Sequence, residues 1–388
     1  MQHQFAFKSF FLGGFECSTH VLSCGRRLDV IASTRHDMHA VEDYERLKSV
    51  GIEAARDGIS WHRIEFSPYR YDFSSVVPLV EASERTGMQV IWDLCHYGWP
   101  DGLDLLSVEF VDRFRSFAAA FANFLTYHIS AEPYVCPINE ISFFAWAAGE
   151  VGYLNPYLTQ QGNRVKRQLV RAHIAGIEGV RSVIPAARIV QIDPVVNVLA
   201  EKGATKAEQL RAESHCESVF HAWEAVAGRR NAELGGRESY LDIVGVNYYP
   251  YNQFHLTGGP IDRVHPSYIP LHQLLGGLYR RLQRPLFIGE TGIENEQRPE
   301  WLAYIADEVI KSFQAGVPVG GVCLYPIVNH PGWDDDRHCH NGLWDYCNDS
   351  GEREIYKPLA DELQRQSLRI ARAQHQFLNN REAANACA

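Results

Sequence analysis

Eight short apolar runs alternate along this chain with eight stretches of helical periodicity, and that alternation limits the fold more than any other feature. The runs lie at 10–15, 54–60, 89–94, 134–139, 188–192, 241–246, 286–289 and 319–324. The helical stretches lie at 41–50, 76–86, 107–128, 164–183, 206–226, 271–282, 301–313 and 357–372. Strands buried on both faces read as continuous apolar runs. Strands alternating with helices predict a parallel sheet covered by helices. Eight repeats fit a closed (β/α)8 TIM barrel, an α/β fold in a single domain over residues 1–372. An open doubly wound sheet is the competing topology. It suits the sequence less well, because Gly13-Gly14 after the first run is not followed by a GxGxxG phosphate loop. Residues 373–388 are polar and rich in small side chains, and a loose tail is expected there.

Barrels of this kind place their chemistry at the carboxyl ends of the strands. Two runs end abruptly in a carboxylate: Ile138-Asn139-Glu140 and Ile288-Gly289-Glu290. They are 150 residues apart, so only the fold can bring them together. A single Glu at a strand end is most often a solvated charge. Two facing carboxyls are the minimum equipment for cleaving a glycosidic bond. Other strand ends are also polar: Glu16 and His20 follow the first, Arg56 lies in the second, and His96 follows the third. Asn247 and Tyr249 follow the sixth, and Trp333 lies beyond the eighth.

The formal net charge of −10 argues against nucleic acid or an anionic membrane as a partner, since both call for a basic patch. No stretch approaches the ~20 apolar residues of a membrane span. The start, Met1-Gln2-His3-Gln4, lacks the basic segment of a signal peptide. Nine cysteines are scattered without CxxC spacing, and Cys95, Cys136 and Cys323 lie in apolar runs as buried free thiols. These features point to a soluble, cytoplasmic protein. His338-Cys339-His340 beside Asp334, Asp335 and Asp336 has a look of ligand spacing, and a metal-dependent barrel hydrolase is the reading it would support. No matching histidine pair ends the first strand, so neither metal nor cofactor is expected. The sequence leaves the oligomeric state open.

Taken as a set, the strand ends resemble glycoside hydrolase family 1 and its wider clan of retaining (β/α)8 glycosidases, over about residues 10–346. Arg56-Asp57-Gly58-Ile59-Ser60-Trp61-His62-Arg63-Ile64 resembles that family's Arg-Phe-Ser-Ile-Ser-Trp-Ser-Arg-Ile. His96-Tyr97-Gly98-Trp99-Pro100 is similar to its His-Trp-Asp-Leu-Pro, and Ile138-Asn139-Glu140 to its Phe-Asn-Glu-Pro. Gly245-Val246-Asn247-Tyr248-Tyr249 resembles its Gly-Leu-Asn-Tyr-Tyr, and Ile288-Gly289-Glu290-Thr291-Gly292 its Ile-Thr-Glu-Asn-Gly. The resemblance implies a β-glycosidase acting on a small glycoside or oligosaccharide by double displacement. It makes Glu290 the nucleophile and Glu140 the acid/base, with their carboxyls about 5–5.5 Å apart. It makes Arg56 the cation that keeps Glu290 anionic, Tyr249 a hydrogen-bond donor to the same carboxylate, and Asn139 the ligand of the sugar 2-hydroxyl. His96 and Trp333 become sugar contacts. A transglycosidase using the same intermediate and an inactive carbohydrate-binding barrel are the alternatives.

The chain departs from the family at the distal end of the sugar. No Gln matches near the first strand, where Glu16, His20 or Val21 stands instead. The family's hydroxyl-gripping Glu after strand eight falls on Gly332. Glu16 and one of Asp334, Asp335 and Asp336 are the expected replacements.

Overall fold

The protein is described from a computed structural model covering residues 6–386. The first five residues, on which the leader reading rests, and the last two lie outside the described residues. Eight strands form the barrel: β1 (Phe11–Gly14), β2 (Ala54–Gly58), β3 (Gln89–Asp93), β4 (Tyr134–Cys136), β5 (Arg188–Pro194), β6 (Ile243–Asn247), β7 (Leu286–Thr291) and β8 (Val319–Leu324). Each pairs in parallel with its sequence neighbour, and β1 closes the ring against β8. The closed parallel barrel read from the sequence is the fold.

Period-two alternation divides each strand between two cores. Leu12, Ala54, Ile91, Cys136, Val190, Ile192, Ile243, Phe287 and Cys323 fill the barrel interior. Their neighbours Phe11, Ala55, Val90, Trp92, Val135, Ile189, Val244 and Ile288 face the helices. The same parity turns Arg56 and Asp93 inward and Asp57 outward, where Asp57 accepts from Tyr44 at 2.6 Å and contacts His36 at 2.8 Å.

The main outer helices are α1 (Ala40–Ser49), α2 (Val77–Thr86), α3 (Val108–Thr126), α4 (Gly162–Val183), α5 (Lys206–Ser218), α6 (Phe220–Val226), α7 (Leu271–Leu282), α8 (Arg298–Gln314) and α9 (Lys357–Ala386). Ser107 caps α3 by accepting from Phe110 N. Phe110, Phe114, Phe117, Phe121 and Leu125 form the buried stripe of α3, and Trp61 stacks on Phe117 at 5.3 Å.

Three boundaries differ from the sequence reading. The second strand, expected over 54–60, ends at Gly58, and residues 61–64 form a single helical turn. The stretch 206–226 is two helices meeting at Val219. The last helix runs on to Ala386 past the expected end near residue 372. Leu363, Ile370 and Phe377 are buried at seven-residue spacing along it, and Phe377 stacks on Phe313 of α8 at 5.2 Å.

Helices α3 and α4 pack closely because α4 carries glycine at the crossing. A Cβ on Gly176 would lie 2.7 Å from the Phe114 ring, and one on Gly179 would lie 2.4 Å from the Arg115 carbonyl oxygen. A ring can turn aside, whereas a helical carbonyl cannot. Gly179→Ala is therefore expected to lower unfolding stability by about 1–3 kcal/mol, the usual cost of overpacking, and by more than Gly176→Ala. Urea denaturation of the two variants measures the difference.

Candidate active site

Arg56 stands at the centre of the carboxyl-terminal mouth with no solvent exposure. Its Nε donates to Asp93 Oδ1 at 3.2 Å and its Nη2 to Asp93 Oδ2 at 2.5 Å. Nη2 also donates to Asn139 Oδ1 at 2.7 Å, and Nη1 donates to Glu290 Oε1. The guanidinium lies over the Tyr325 ring at 5.2 Å from its centroid. A buried cation is tolerable only when paired and hydrogen-bonded this completely. Burial would raise the Asp93 carboxyl, but the charges of Arg56 and His96 outweigh it and hold it below its ordinary value.

Glu290 reaches this network through an irregularity in β7. Strict alternation would send it outward with Leu286 and Ile288. The register against β6 slips between Ile288 and Glu290, where Ile288 pairs with Val246 and Glu290 with Asn247. The extra residue, Gly289, re-aims the glutamate toward the mouth, which is what a bulge does beside an active site. There Tyr249 donates its hydroxyl to Glu290 Oε2 at 2.8 Å. Burial and the Glu290 charge push the Tyr249 phenol well above its ordinary value, so it remains a donor.

Glu140 is placed by a second irregularity. β4 ends at Cys136, and the chain runs on through Asn139, whose amide donates to Cys95 O at 3.0 Å. The Glu140 amide then donates to Ile192 O at 3.0 Å. Glu140 sits at φ 46° and opens the short helix Ile141–Ala145. Tyr97, whose hydroxyl donates to Glu140 Oε2, sits at φ 66°. Both partners of this bond therefore occupy the left-handed region, where side chains other than glycine are uncommon. Burial first, and the charge of Glu290 second, push the Glu140 carboxyl up to about 8. Asn247 lies fully buried beside Glu140, and its amide partly offsets that upward push.

The opposite wall holds Glu16, His96, His20 and Trp333. Glu16 Oε1 accepts from the Ser18 amide at 3.0 Å and from the Ser18 hydroxyl, and lies 4.0 Å from His96 Nε2. Burial works to raise this carboxyl, but the charges of His96 and His330 and the bonds from Ser18 hold it below its ordinary value. His96 also contacts Asp93 at 3.2 Å and the Asn139 amide at 3.2 Å. His20 meets Trp333 edge to face at 4.9 Å, and Trp333 meets Tyr97 at 5.8 Å. Burial lowers the His20 imidazole to about 4, leaving it neutral near pH 7.

All ten residues expected from the sequence thus lie on the loops and strand ends of one mouth. Among the acidic candidates for the Gly332 position, Glu16 faces inward. Asp336 pairs with Arg26 at 2.8 Å, and Asp335 accepts from the Arg337 amide at 3.2 Å. Asp334 is exposed and accepts from Tyr153 at 2.9 Å. The sequence reading missed Asp93, Tyr97, Tyr325 and His330. Asp93 carries the signal that found the two glutamates, an apolar strand ending in a carboxylate. His330 is buried on the loop after β8, and its ring contacts Asn341 at 3.0 Å; nothing in its local sequence marks it.

No family model and no curated protein matches the chain. Solved structures do. A β-glucosidase from Thermotoga maritima in complex with glucoimidazole aligns with a TM-score of 0.74 at 16% identity, covering 95% of this chain and 99% of that one. The AHE enzyme from Alicyclobacillus herbarius aligns with a TM-score of 0.76 at 17% identity, over 95% of this chain and 100% of that one. Virulence factor SghA from Agrobacterium tumefaciens aligns with a TM-score of 0.73 at 18% identity, over 92% and 97%. The Thermotoga maritima fold is also described as a family 1 β-glucosidase. The chain therefore has the (β/α)8 fold of the family 1 β-glucosidases.

Proposed function

We propose that this protein is a retaining β-glycosidase acting on neutral glycosides. The observation that carries the reading is the unequal treatment of two neighbouring buried carboxyls. Glu290 receives a guanidinium and a phenol, the setting of a carboxylate nucleophile. Glu140 receives a phenol and no cation, and holds its proton up to about 8, the setting of a general acid. Glu290 attacks the anomeric carbon while Glu140 gives its proton to the leaving oxygen. The resulting glycosyl ester on Glu290 is cleaved by water, whose proton Glu140 takes. Asn139 and Asn247 offer amides to the sugar hydroxyls. The pocket holds Glu16, Asp93 and Glu290 against Arg56 and the histidines, which disfavours a negatively charged sugar. The fold shared with β-glucosidases agrees with this reading. Buried free thiols at Cys95, Cys136 and Cys323 suit a reducing, cytoplasmic setting. No helix among the described residues is long and apolar enough to cross a membrane.

The pH dependence follows from the sign of the Glu140 shift. The glycosylation step needs Glu140 protonated, so kcat/KM is expected to fall as pH rises through about 8. In Glu140→Ala that basic limb disappears. A wild-type limb near 4–5 would remove Glu140 from the acid role.

Leaving groups separate the two glutamates. Glu140→Ala is expected to slow poor leaving groups by at least about 100-fold, the usual worth of general acid catalysis, and activated aryl glycosides far less. Added azide restores turnover of the activated substrates and yields a β-glycosyl azide. Equal loss on both substrates with no azide product rejects the assignment. Glu290→Gln abolishes turnover of every substrate; near-normal activity would end the double-displacement reading.

The inward carboxylate gives a specificity test. Glu16→Ala is expected to lower kcat/KM on the best sugar by about tenfold or more, since an unpaired buried hydroxyl costs about 1–3 kcal/mol. Asp335→Ala and Asp336→Ala stay within about threefold, under ~0.7 kcal/mol. The reverse order would place the distal-sugar contact on the loop after β8.

A further inference from the structure

The sequence pairs His338 and His340 with the three aspartates just before them, but the fold gives them a different partner. His338–Cys339 pairs antiparallel with His330–Pro331, so His338 and His340 leave the hairpin on one face. Their rings stack at 4.3 Å, and His338 stacks on Tyr346 at 4.1 Å. Asp345, on the neighbouring strand Trp344–Cys347, reaches His338 Nε2 with Oδ1 at 2.6 Å. One donor atom from each of His338, His340 and Asp345 lies within 4.8 Å of the others.

This carboxylate is oriented by groups behind it. Oδ1 of Asp345 accepts from Asn329 Nδ2 at 2.9 Å and from the Tyr346 amide at 2.7 Å. With His338, three groups meet that one oxygen, which leaves Oδ2 open. Ligands fixed by outer hydrogen bonds are the mark of a built metal site. The second cluster of donor atoms, Cys17, Asp93 and His96, is different. There Arg56 already occupies both oxygens of Asp93, and a second cation is excluded.

We propose that His338, His340 and Asp345 bind one first-row transition-metal ion of the Zn2+ or Co2+ type. Two imidazoles and one carboxylate suit such ions, whereas Ca2+ and Mg2+ prefer oxygen ligands throughout. The ion ties the hairpin that carries His330 and Trp333 to the strand Trp344–Cys347. Its role is a cross-link in the pocket wall and not part of the bond cleavage. The inference stands whether or not the glycosidase reading does.

The test uses the full chain, stripped of metal and free of a histidine tag. Calorimetric titration with ZnCl2 and CoCl2 is expected to give saturable binding of one ion per chain, a rise in Tm and visible d–d bands with cobalt. His340 is exposed and its side chain makes no hydrogen bond, only the stack on His338, so His340→Ala is expected to change the metal-free Tm little. That variant loses at least about tenfold in affinity, and the metal-dependent rise in Tm goes with it. Asp345→Asn weakens binding likewise, and Asp335→Asn binds as the parent does. Four outcomes overturn the proposal: no saturable binding, equal affinity in the parent and His340→Ala, Ca2+ binding with the same dependence on His340, or loss in Asp335→Asn alone.

Discussion

The mouth of this barrel depends on one buried guanidinium. Arg56 has no solvent to fall back on, so its charge is carried by Asp93, Glu290 and the Asn139 side-chain oxygen, with the Gly289 carbonyl at 3.4 Å and the Tyr325 ring beside them. Only the planar fork of arginine reaches three acceptors on three different strand ends at once. Removing it would leave two buried carboxyls without a counter-charge, a larger loss than any single bond it makes. The same fork ties β2, β3, β4 and β7 together at the level of the two glutamates. The partners are linked in a chain, because the Asn139 amide donates onward to Tyr97 at 3.1 Å and Tyr97 donates to Glu140.

Around that fixed point, each catalytic candidate is aimed by a break in regular geometry. Glu290 depends on the slipped register at Gly289, where a Cβ would lie 3.0 Å from Asn247 Oδ1 and 3.1 Å from Ile192. Glu140 and Tyr97 depend on left-handed backbone, each a departure costing on the order of 1–3 kcal/mol. Packing elsewhere must sustain these costs, and the two cores on either face of the sheet are large enough to do so. Regular strands would have pointed Glu290 among the outer apolar residues. Left-handed backbone also occurs away from the mouth, at Arg35 and Asn231 for example, but at Glu140 and Tyr97 it aims the two partners of one buried hydrogen bond.

These breaks also mark where the sequence stops being readable. The eight strands were legible because both faces are buried, which makes each one a continuous apolar run. Arg56, Glu140 and Glu290 stood out because a charge ends or interrupts such a run. Asp93 gives the same signal and was passed over, since Val90-Ile91-Trp92-Asp93 is followed at once by the more conspicuous His96-Tyr97. The bulge at Gly289 leaves no trace in composition, and the left-handed turn at Tyr97 would ordinarily suggest glycine or asparagine there. Proximity in sequence is the only ground for expecting one of the three aspartates after Trp333 in the pocket. Arg26, Arg337 and Tyr153, all distant or unremarkable in sequence, are the partners that hold them at the rim.

What separates the two catalytic candidates is finally a matter of where one cation stands. Two carboxyls in one dry site repel when both are charged, so the proton settles on the one with less support. Arg56 is committed to the Glu290 side by its bidentate hold on Asp93, and it cannot swing toward Glu140 without breaking that pair. Tyr97 and Tyr249 are equivalent donors, one to each carboxyl, and so cannot account for the difference. The asymmetry between the two candidates is thus set on β2 and β3, strands that carry neither glutamate. Glu16 repeats the arrangement on the far wall with weaker means: Ser18 and two histidines support its charge in place of an arginine. A carboxylate held by imidazoles remains open to exchange those contacts for sugar hydroxyls, which a carboxylate locked to a guanidinium is not.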